Sequence, residues 1–336
     1  MPSPALYPPS RSERNAWVKS LRGARNVVNT DRPYAFTLDH EPNASGEVVP
    51  IATIFLTNKE CPFRCVMCDL WQNTLEEKIL TGQIPKQIEY ALDRLPEARQ
   101  VKLYNSGSFF DPAAIPVEDY EVIAARVRHF ERVIVECHPV FLGDRCRRFR
   151  DLCSGQLEVA IGLESAHEPT LSRLNKGMDL KQFERAATFL KKENVALRVF
   201  LLIQPPFLSL EESSIWLRHS INYALEHGST AISLIPTRAG NGAMERLGSN
   251  GDFRPPTLGT IEESLDWAIG LQKGRVFADL WDLKKFPNCP QCFDRRRDRL
   301  KSMNLSQTII QRVNCGCGSD PNERDINESE PSPGLE

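Results

Sequence analysis

Cys61, Cys65 and Cys68 fall within eight residues, in the run Cys61-Pro62-Phe63-Arg64-Cys65-Val66-Met67-Cys68. Three thiolates this close form a metal or cluster chelate far more often than a packing feature, and three is one fewer than a closed tetrahedral site needs. An iron-sulfur cube held by three cysteines keeps one iron open to a small molecule, so the loop reads as a reactive cofactor site. Two plainer readings stand beside it. Zinc on three cysteines with a water ligand is one, although the split motif and glutamate of the zinc deaminases are not seen. Buried cysteines packing as small hydrophobes are the other, opposed by Pro62 and Arg64 in the same run.

A second group lies near the end of the chain. Cys289-Pro290-Gln291-Cys292 and Cys315-Gly316-Cys317 offer four thiols in two short pairs, with 22 residues between the pairs. Four ligands so arranged suit either a zinc knuckle or an auxiliary [4Fe-4S] cluster, and the sequence leaves both open. Arg295, Arg296, Arg297, Arg299 and Lys301 follow closely and suit either phosphate contacts or a charged helix face. Cys137, Cys146 and Cys153 stand outside both groups and read as buried or spare thiols.

The elements that must position these groups alternate. The sequence predicts a strand near 49–57, then the cysteine loop, then a helix near 84–95 beginning after Pro85. Strands follow at 100–104, 132–136, 157–161, 195–202 and 231–235, with amphipathic stretches between them. This βαβ rhythm argues for a parallel sheet covered by helices, six strands making an open barrel. Asp179 with Gln182, Ser209 with Glu212, and Thr260 with Glu263 each read as a helix start with a capping box. The run 275–281 reads as one more strand at an edge, with an antiparallel setting open to it.

In parallel barrels the chemistry gathers at the carboxyl ends of the strands. Polar residues fall there: Asn105, Ser106, Gly107, Ser108 and Asp111 after the second strand, Glu136 and His138 after the third, Glu164 after the fourth, Gln204 after the fifth, Arg238 after the sixth. Arg238 is a candidate anion clamp, since a guanidinium grips carboxylate or phosphate with two parallel bonds. The plain readings are a serine-glycine turn, strand-end carboxylates paired with a dipole or lysine, and an exposed arginine.

The three-residue and two-residue gaps of the cysteine loop resemble the signature of the radical S-adenosylmethionine (radical SAM) enzymes. Gly162-Leu163-Glu164-Ser165, followed by Leu171-Ser172-Arg173-Leu174-Asn175-Lys176-Gly177, looks like the methylthiotransferase and Elongator-type branch. Ser106-Gly107-Ser108-Phe109-Phe110-Asp111-Pro112 is also similar to the radical SAM subunit of archaeosine synthase, a tRNA-modifying enzyme. The resemblance covers roughly 49–245. It implies an α/β fold, a partial (β/α)6 TIM-like barrel of the radical SAM type with a small Cys-rich C-terminal module. It further implies a [4Fe-4S] cluster on Cys61, Cys65 and Cys68, whose open iron takes the amino and carboxylate groups of S-adenosyl-L-methionine and whose electron cleaves the sulfonium to a 5'-deoxyadenosyl radical. The loop 106–108 would meet the methionyl amino group, Glu136 and Glu164 the ribose, Gln204 and Met67 the adenine. Met67 stands where the family usually carries an aromatic residue. Asn105, Asp111 and Arg238 are expected at the substrate, which is a tRNA base or a small-molecule precursor. The implied partners are an electron donor such as flavodoxin or ferredoxin and that substrate. The implied second cofactor, on Cys289, Cys292, Cys315 and Cys317, is [4Fe-4S] or zinc.

At 336 residues with 41% hydrophobic and 26% charged, the chain is long enough for one large core. A formal charge of -2 gives no general attraction to nucleic acid. No apolar segment reaches the length of a membrane span, and the start lacks a secretion signal, which predicts a cytoplasmic protein and suits cysteines as metal ligands. The expected organisation is an N-terminal extension at 1–47, the barrel at 48–285, a Cys-rich module at 286–318 and a disordered acidic tail at 319–336. A rival of another class is a zinc-bearing nucleic-acid-binding protein on a barrel scaffold, with Arg295 to Arg299 as its phosphate contacts.

Overall fold

The computed structural model describes residues 7–286 and 288–315. Cys317 and the acidic tail lie outside the described residues. Eight strands form one sheet in sequence order: β1 (Ala35–Pro42), β2 (Val48–Phe55), β3 (Gln100–Tyr104), β4 (Arg132–Glu136), β5 (Gln156–Glu164), β6 (Ala196–Ile203), β7 (Ser229–Pro236) and β8 (Arg275–Ala278). The strands β2 to β8 are parallel, and β1 runs antiparallel to β2. The six strands β2 to β7 are those expected from the sequence, within a residue or two at most ends. The sheet curls into a partial barrel of the TIM type. Parallel strands covered by helices are buried on both faces, and β5 accordingly has all but its first residue buried.

Among the described residues ten α-helices accompany the sheet: α1 (Arg11–Ser20), α2 (Gln83–Leu92), α3 (Tyr120–Arg126), α4 (Asp144–Leu152), α5 (Glu168–Arg173), α6 (Leu180–Lys192), α7 (Leu210–Glu226), α8 (Ala243–Ser249), α9 (Leu258–Gly270) and α10 (Phe293–Ser306). The capping boxes expected at Asp179 and Ser209 close α6 and α7, with Gln182 N 2.7 Å from Asp179 Oδ1 and Glu212 N 3.2 Å from Ser209 Oγ. No helix among the described residues is long and apolar enough to cross a membrane.

Four expectations change. The strand β1 was not legible, because its residues Ala-Phe-Thr-Leu-Asp-His-Glu-Pro carry no clean alternation; pairing with β2 forms it. The run after α9 is parallel to β7, as a strand reached through a crossover helix must be, and it ends at Ala278. The helix α9 is capped by Thr257, whose Oγ1 accepts from Thr260 N at 3.1 Å, so Thr260 lies inside the helix. Thr257 is the first residue after Pro255-Pro256 with a side-chain oxygen that can accept from the helix N–H groups. The helix α2 begins at Gln83 after Gly82, with Pro85 in its first turn, where a missing N–H costs nothing.

The interior of the barrel, near the amino ends of the strands, is closed by charge. Glu158 of β5 receives Arg198 of β6 at 2.6 Å, Arg132 of β4 at 2.8 Å and Arg275 of β8 at 3.1 Å. Glu41 of β1 pairs with Arg198 at 2.9 Å and with Lys102 of β3. Arg198 is 1% exposed and Glu158 wholly buried, so neither charge has water to rely on. Burial alone would raise the Glu158 carboxyl, but Arg198, Arg275 and Arg132 outweigh it and bring it down to about 2. A carboxyl lowered in the folded state contributes stability above its unfolded value near pH 4.3, and that contribution is lost as the pH falls toward about 2. Glu158→Gln leaves Arg132 and Arg275 without a carboxylate and Arg198 with Glu41 alone, and is expected to cost about 3–5 kcal/mol in a urea titration, with a flatter acid limb between those pH values than the parent protein. Unchanged stability and an unchanged acid limb would disprove this role.

Candidate cofactor site at the barrel mouth

The chain leaves β2 at Phe55 and crosses the carboxyl end of the barrel as the cysteine loop. Its first residues are fixed by Gln87 of α2, whose side chain accepts from Thr57 N and donates to Thr57 O, both at 2.8 Å. Next, Glu60 receives Arg22 at 2.7 Å, Arg25 at 2.5 Å and Arg64 at 3.0 Å. Burial would raise the Glu60 carboxyl, but hydrogen bonds from Arg22 and Arg25 hold it below its ordinary value. Asn175 Nδ2 donates to Arg64 O at 2.8 Å, and Val66 N donates to Leu174 O at 3.0 Å. Asn241 Nδ2 donates to Val66 O at 2.7 Å and Cys68 O at 3.1 Å. Segments far apart in sequence thus hold the loop by its backbone and leave its thiols for other use.

None of the nine described cysteines forms a disulfide. Burial pushes the thiols of Cys61, Cys65 and Cys68 up to about 12 each, and the three raise one another because they are neighbours. Lys176 works the other way on Cys61 and Cys65. Its Nζ sits 2.6 Å from Glu164 Oε1 and, despite burial, Glu164, Cys65 and Cys61 hold it charged. Room for this pair comes from Gly162, where a Cβ would meet Glu164 Oε1 at 2.2 Å and Lys176 Nζ at 2.5 Å. The pairing of β5 with β6 shifts register there, and Glu164 takes a left-handed φ of +67°.

The polar loop after β3 lies against the same thiols. Glu136 Oε1 accepts from Asn105 N at 2.6 Å and Gly107 N at 3.4 Å, which fixes the backbone of the turn. Burial raises the Glu136 carboxyl, partly offset by those bonds. A Cβ on Gly107 would stand 3.4 Å from Cys61 Cβ, so glycine permits the close approach. Ser106, at φ +52°, has its hydroxyl 3.1 Å from Tyr34 Oη. The wholly buried Asn105 amide finds no hydrogen-bond partner at either Nδ2 or Oδ1, an arrangement that suits a polar guest.

The structure therefore brings Cys61, Cys65, Cys68, Asn105, Ser106, Gly107, Glu136 and Glu164 together. Other candidates are engaged elsewhere. Ser108 Oγ accepts from His138 N at 2.9 Å, Asp111 Oδ1 accepts from Ala113 N at 2.9 Å in its own turn, and Gln204 Nε2 donates to Arg254 O at 2.7 Å. Arg238 pairs with Asp279, and Met67 packs against a small apolar cluster with Val18, Leu174 and Met244. The His138 ring stacks on Phe63 with centroids 3.9 Å apart, and burial followed by Lys176 lowers it to about 3, so it is neutral. Lys176, Asn175, Asn241 and Glu60 were missed as site residues. The first two stand in the Asn175-Lys176-Gly177 stretch and the third in the Gly240-Asn241-Gly242 loop, where glycines beside a polar side chain were the available signal.

The helix α1 lies across the same end of the barrel. Arg14 Nη1 donates to Ser172 O at 2.9 Å, and a Cβ on Gly242 would meet Leu21 O at 1.9 Å. Cys289, Cys292 and Cys315 also meet, their sulfurs all within 4.8 Å of one another. A single zinc with Zn–S of about 2.3 Å puts tetrahedral sulfurs about 3.8 Å apart, a reach this group is close to. The basic run after Cys292 is occupied: Arg296 and Arg299 pair with Glu262 at 2.7 and 3.3 Å, and Arg297 with Asp294 and Asp298 at 2.8 and 2.9 Å. With three of its arginines engaged within the protein, the run does not favour the nucleic-acid-binding rival.

No family model matches the chain. A protein of Methanocaldococcus jannaschii described as uncharacterized is 27% identical over 317 residues, covering 87% of each chain. Archaeosine synthase subunit beta of Methanosarcina acetivorans is 28% identical over 274 residues, 75% of this chain and 77% of that one. Among solved structures, methylornithine synthase superposes with a TM-score of 0.52 at 16% identity over 82% of this chain and 77% of that one. The chain resembles the radical SAM enzymes. The partial barrel expected from that resemblance is the fold observed, with a cysteine-bearing segment after it.

Because Gly162 makes room for the Glu164–Lys176 pair, Gly162→Ala is expected to cost about 1–3 kcal/mol through overpacking. Chemical denaturation checks the value, and stability equal to the parent would show that the pair does not depend on this glycine.

Proposed function

We propose that this chain is a radical SAM enzyme in which Cys61, Cys65 and Cys68 hold three irons of a [4Fe-4S] cluster and the fourth iron takes S-adenosyl-L-methionine. The observation that carries this reading is the set of three buried neighbouring thiols beside a buried lysine at the carboxyl end of the barrel. When bound, the cluster supplies one-electron cleavage of a sulfonium. The chain's own residues supply the setting. Lys176 places positive charge beside anionic sulfur, which lowers the cost of burying thiolates. Glu136 presents the backbone of 105–107 in one conformation, and Gly107 lets that backbone approach. The arginine-bound Glu60 and the amides of Asn175 and Asn241 keep the loop from relaxing when its thiols ionise.

The relatives named archaeosine synthase subunit beta support a tRNA base as the substrate and a second subunit as a partner. An aromatic group at the mouth is compatible with a planar substrate: Phe55 stands 5.6 Å from Tyr34, 6.2 Å from Tyr104 and 6.5 Å from Trp281, ring centre to ring centre. Trp281 is 60% exposed and offers a free face for stacking. The electron would come from a flavodoxin-like or ferredoxin-like donor.

Protein purified without oxygen is expected to carry about four irons on these cysteines and, once reduced, to release 5'-deoxyadenosine from S-adenosylmethionine, measured by mass spectrometry. Cys65→Ala should lose both the iron and the product while keeping its circular dichroism. Colourless protein, or a Cys65→Ala variant that cleaves at the parent rate, would refute the ligand assignment.

A further inference from the structure

We infer that Cys289, Cys292 and Cys315 bind one tetrahedral metal ion, zinc by its donor set, and that this ion clamps α10 over the open edge of the barrel. The reading stands apart from the radical SAM proposal, since it concerns different cysteines and a different metal. Its first support is the spacing. Three sulfurs all within 4.8 Å of one another suit a single centre, with Zn–S bonds of about 2.3 Å. Cys317, two residues on and outside the described residues, is the sequence's candidate for a fourth thiolate.

The second support is charge. Three thiolates around a divalent ion leave a net negative charge, and sites of this kind are tuned by the groups around the sulfurs. Arg296 lies one turn beyond Cys292 on α10 and pairs with Glu262 of α9 at 2.7 Å, and its positive charge acts on the Cys292 sulfur. One guanidinium anchored to α9 thus places positive charge beside the thiol group.

The third support is what the site would hold in place. The edge strand β8 offers backbone groups that would otherwise invite another strand. Two amide side chains of the α10 segment satisfy them. Gln307 accepts from Val276 N at 2.7 Å and donates to Val276 O at 2.8 Å; Asn304 accepts from Ala278 N and donates to Ala278 O, both at 2.9 Å. Little apolar surface fixes this helix, whose buried residues are Phe293, Arg299, Leu300 and Met303. Cys292 stands at its N-cap, and Cys315 lies on the return segment that Arg299 holds through Ile310 O at 2.9 Å and Gln311 O at 3.2 Å. An ion on these thiols joins the chain entering α10 to the chain leaving it, so the edge cap is closed by a covalent-strength cross-link where the apolar contact is thin.

The test uses full-length protein with Cys61, Cys65 and Cys68 all changed to alanine, which removes the mouth ligands. Metal analysis is expected to find one zinc per chain and X-ray absorption to find sulfur neighbours at about 2.3 Å. Brown protein with several irons per chain would establish an auxiliary cluster and overturn the proposal, as would metal-free protein that is folded. If the triple variant does not fold, the unmodified protein purified without oxygen decides the question by its ratio: four irons with one zinc supports the proposal, and a second set of four irons without zinc overturns it. Removing zinc with a chelator should speed hydrogen exchange at the Val276 and Ala278 amides about a hundredfold, the factor for an ion held at a hundred times its Kd, with recovery on adding zinc back. Exchange that ignores the ion would refute the clamp.

Discussion

Burial raises the thiols of Cys61, Cys65 and Cys68 to about 12, so these sulfurs become anionic ligands only where positive charge meets them inside the protein. That constraint explains the construction around the mouth. Lys176 is held charged by Glu164, and the pair fits only because position 162 lacks a side chain. A loop with three buried like-charged groups would spring open if held by its side chains alone. Here its carbonyls are gripped by Asn175 and Asn241, and its acidic residue by three arginines. The anchoring of the loop thus rests on its carbonyls and on Glu60, apart from its thiols.

The other end of the barrel answers a different problem. A sheet that curls without closing leaves β1 and β8 unpaired to each other, and its interior still has to be filled. The Glu158 and Glu41 carboxylates, with Arg198, Arg275, Arg132 and Lys102, fill it and join both edges through charge. Each carboxylate accepts from more than one cation, which is what makes burial of such groups tolerable. The open edge of β8 is finished by amide side chains of the α10 segment in place of a strand. Rigidity at the mouth therefore rests on polar groups in the interior and at the edge as well as on the apolar layer between sheet and helices.

Much of this was legible in local pattern. The gaps between Cys61, Cys65 and Cys68 marked that loop as a candidate chelate, the apolar runs named β2 to β8, and the capping residues at Asp179 and Ser209 named two helix starts. Each of these is decided within a few residues, by ligand reach, by the two-residue period of a strand or by one side chain meeting a nearby amide. The strand β1 escaped because its polar sequence becomes a strand only by pairing, and Thr260 was mistaken for a cap because Thr257 takes the role earlier.

The sequence by itself determined which groups are available for chemistry and in what order the elements carry them, since donor type and local period are properties of neighbours in the chain. Only the tertiary structure decided that Lys176 faces Cys65, that Glu158 meets Arg198 across 40 positions, and that Cys315 returns to Cys289 and Cys292. Those relations depend on how far strands twist and where loops return. They are set by the packing of the whole sheet, and no short stretch of chain encodes them.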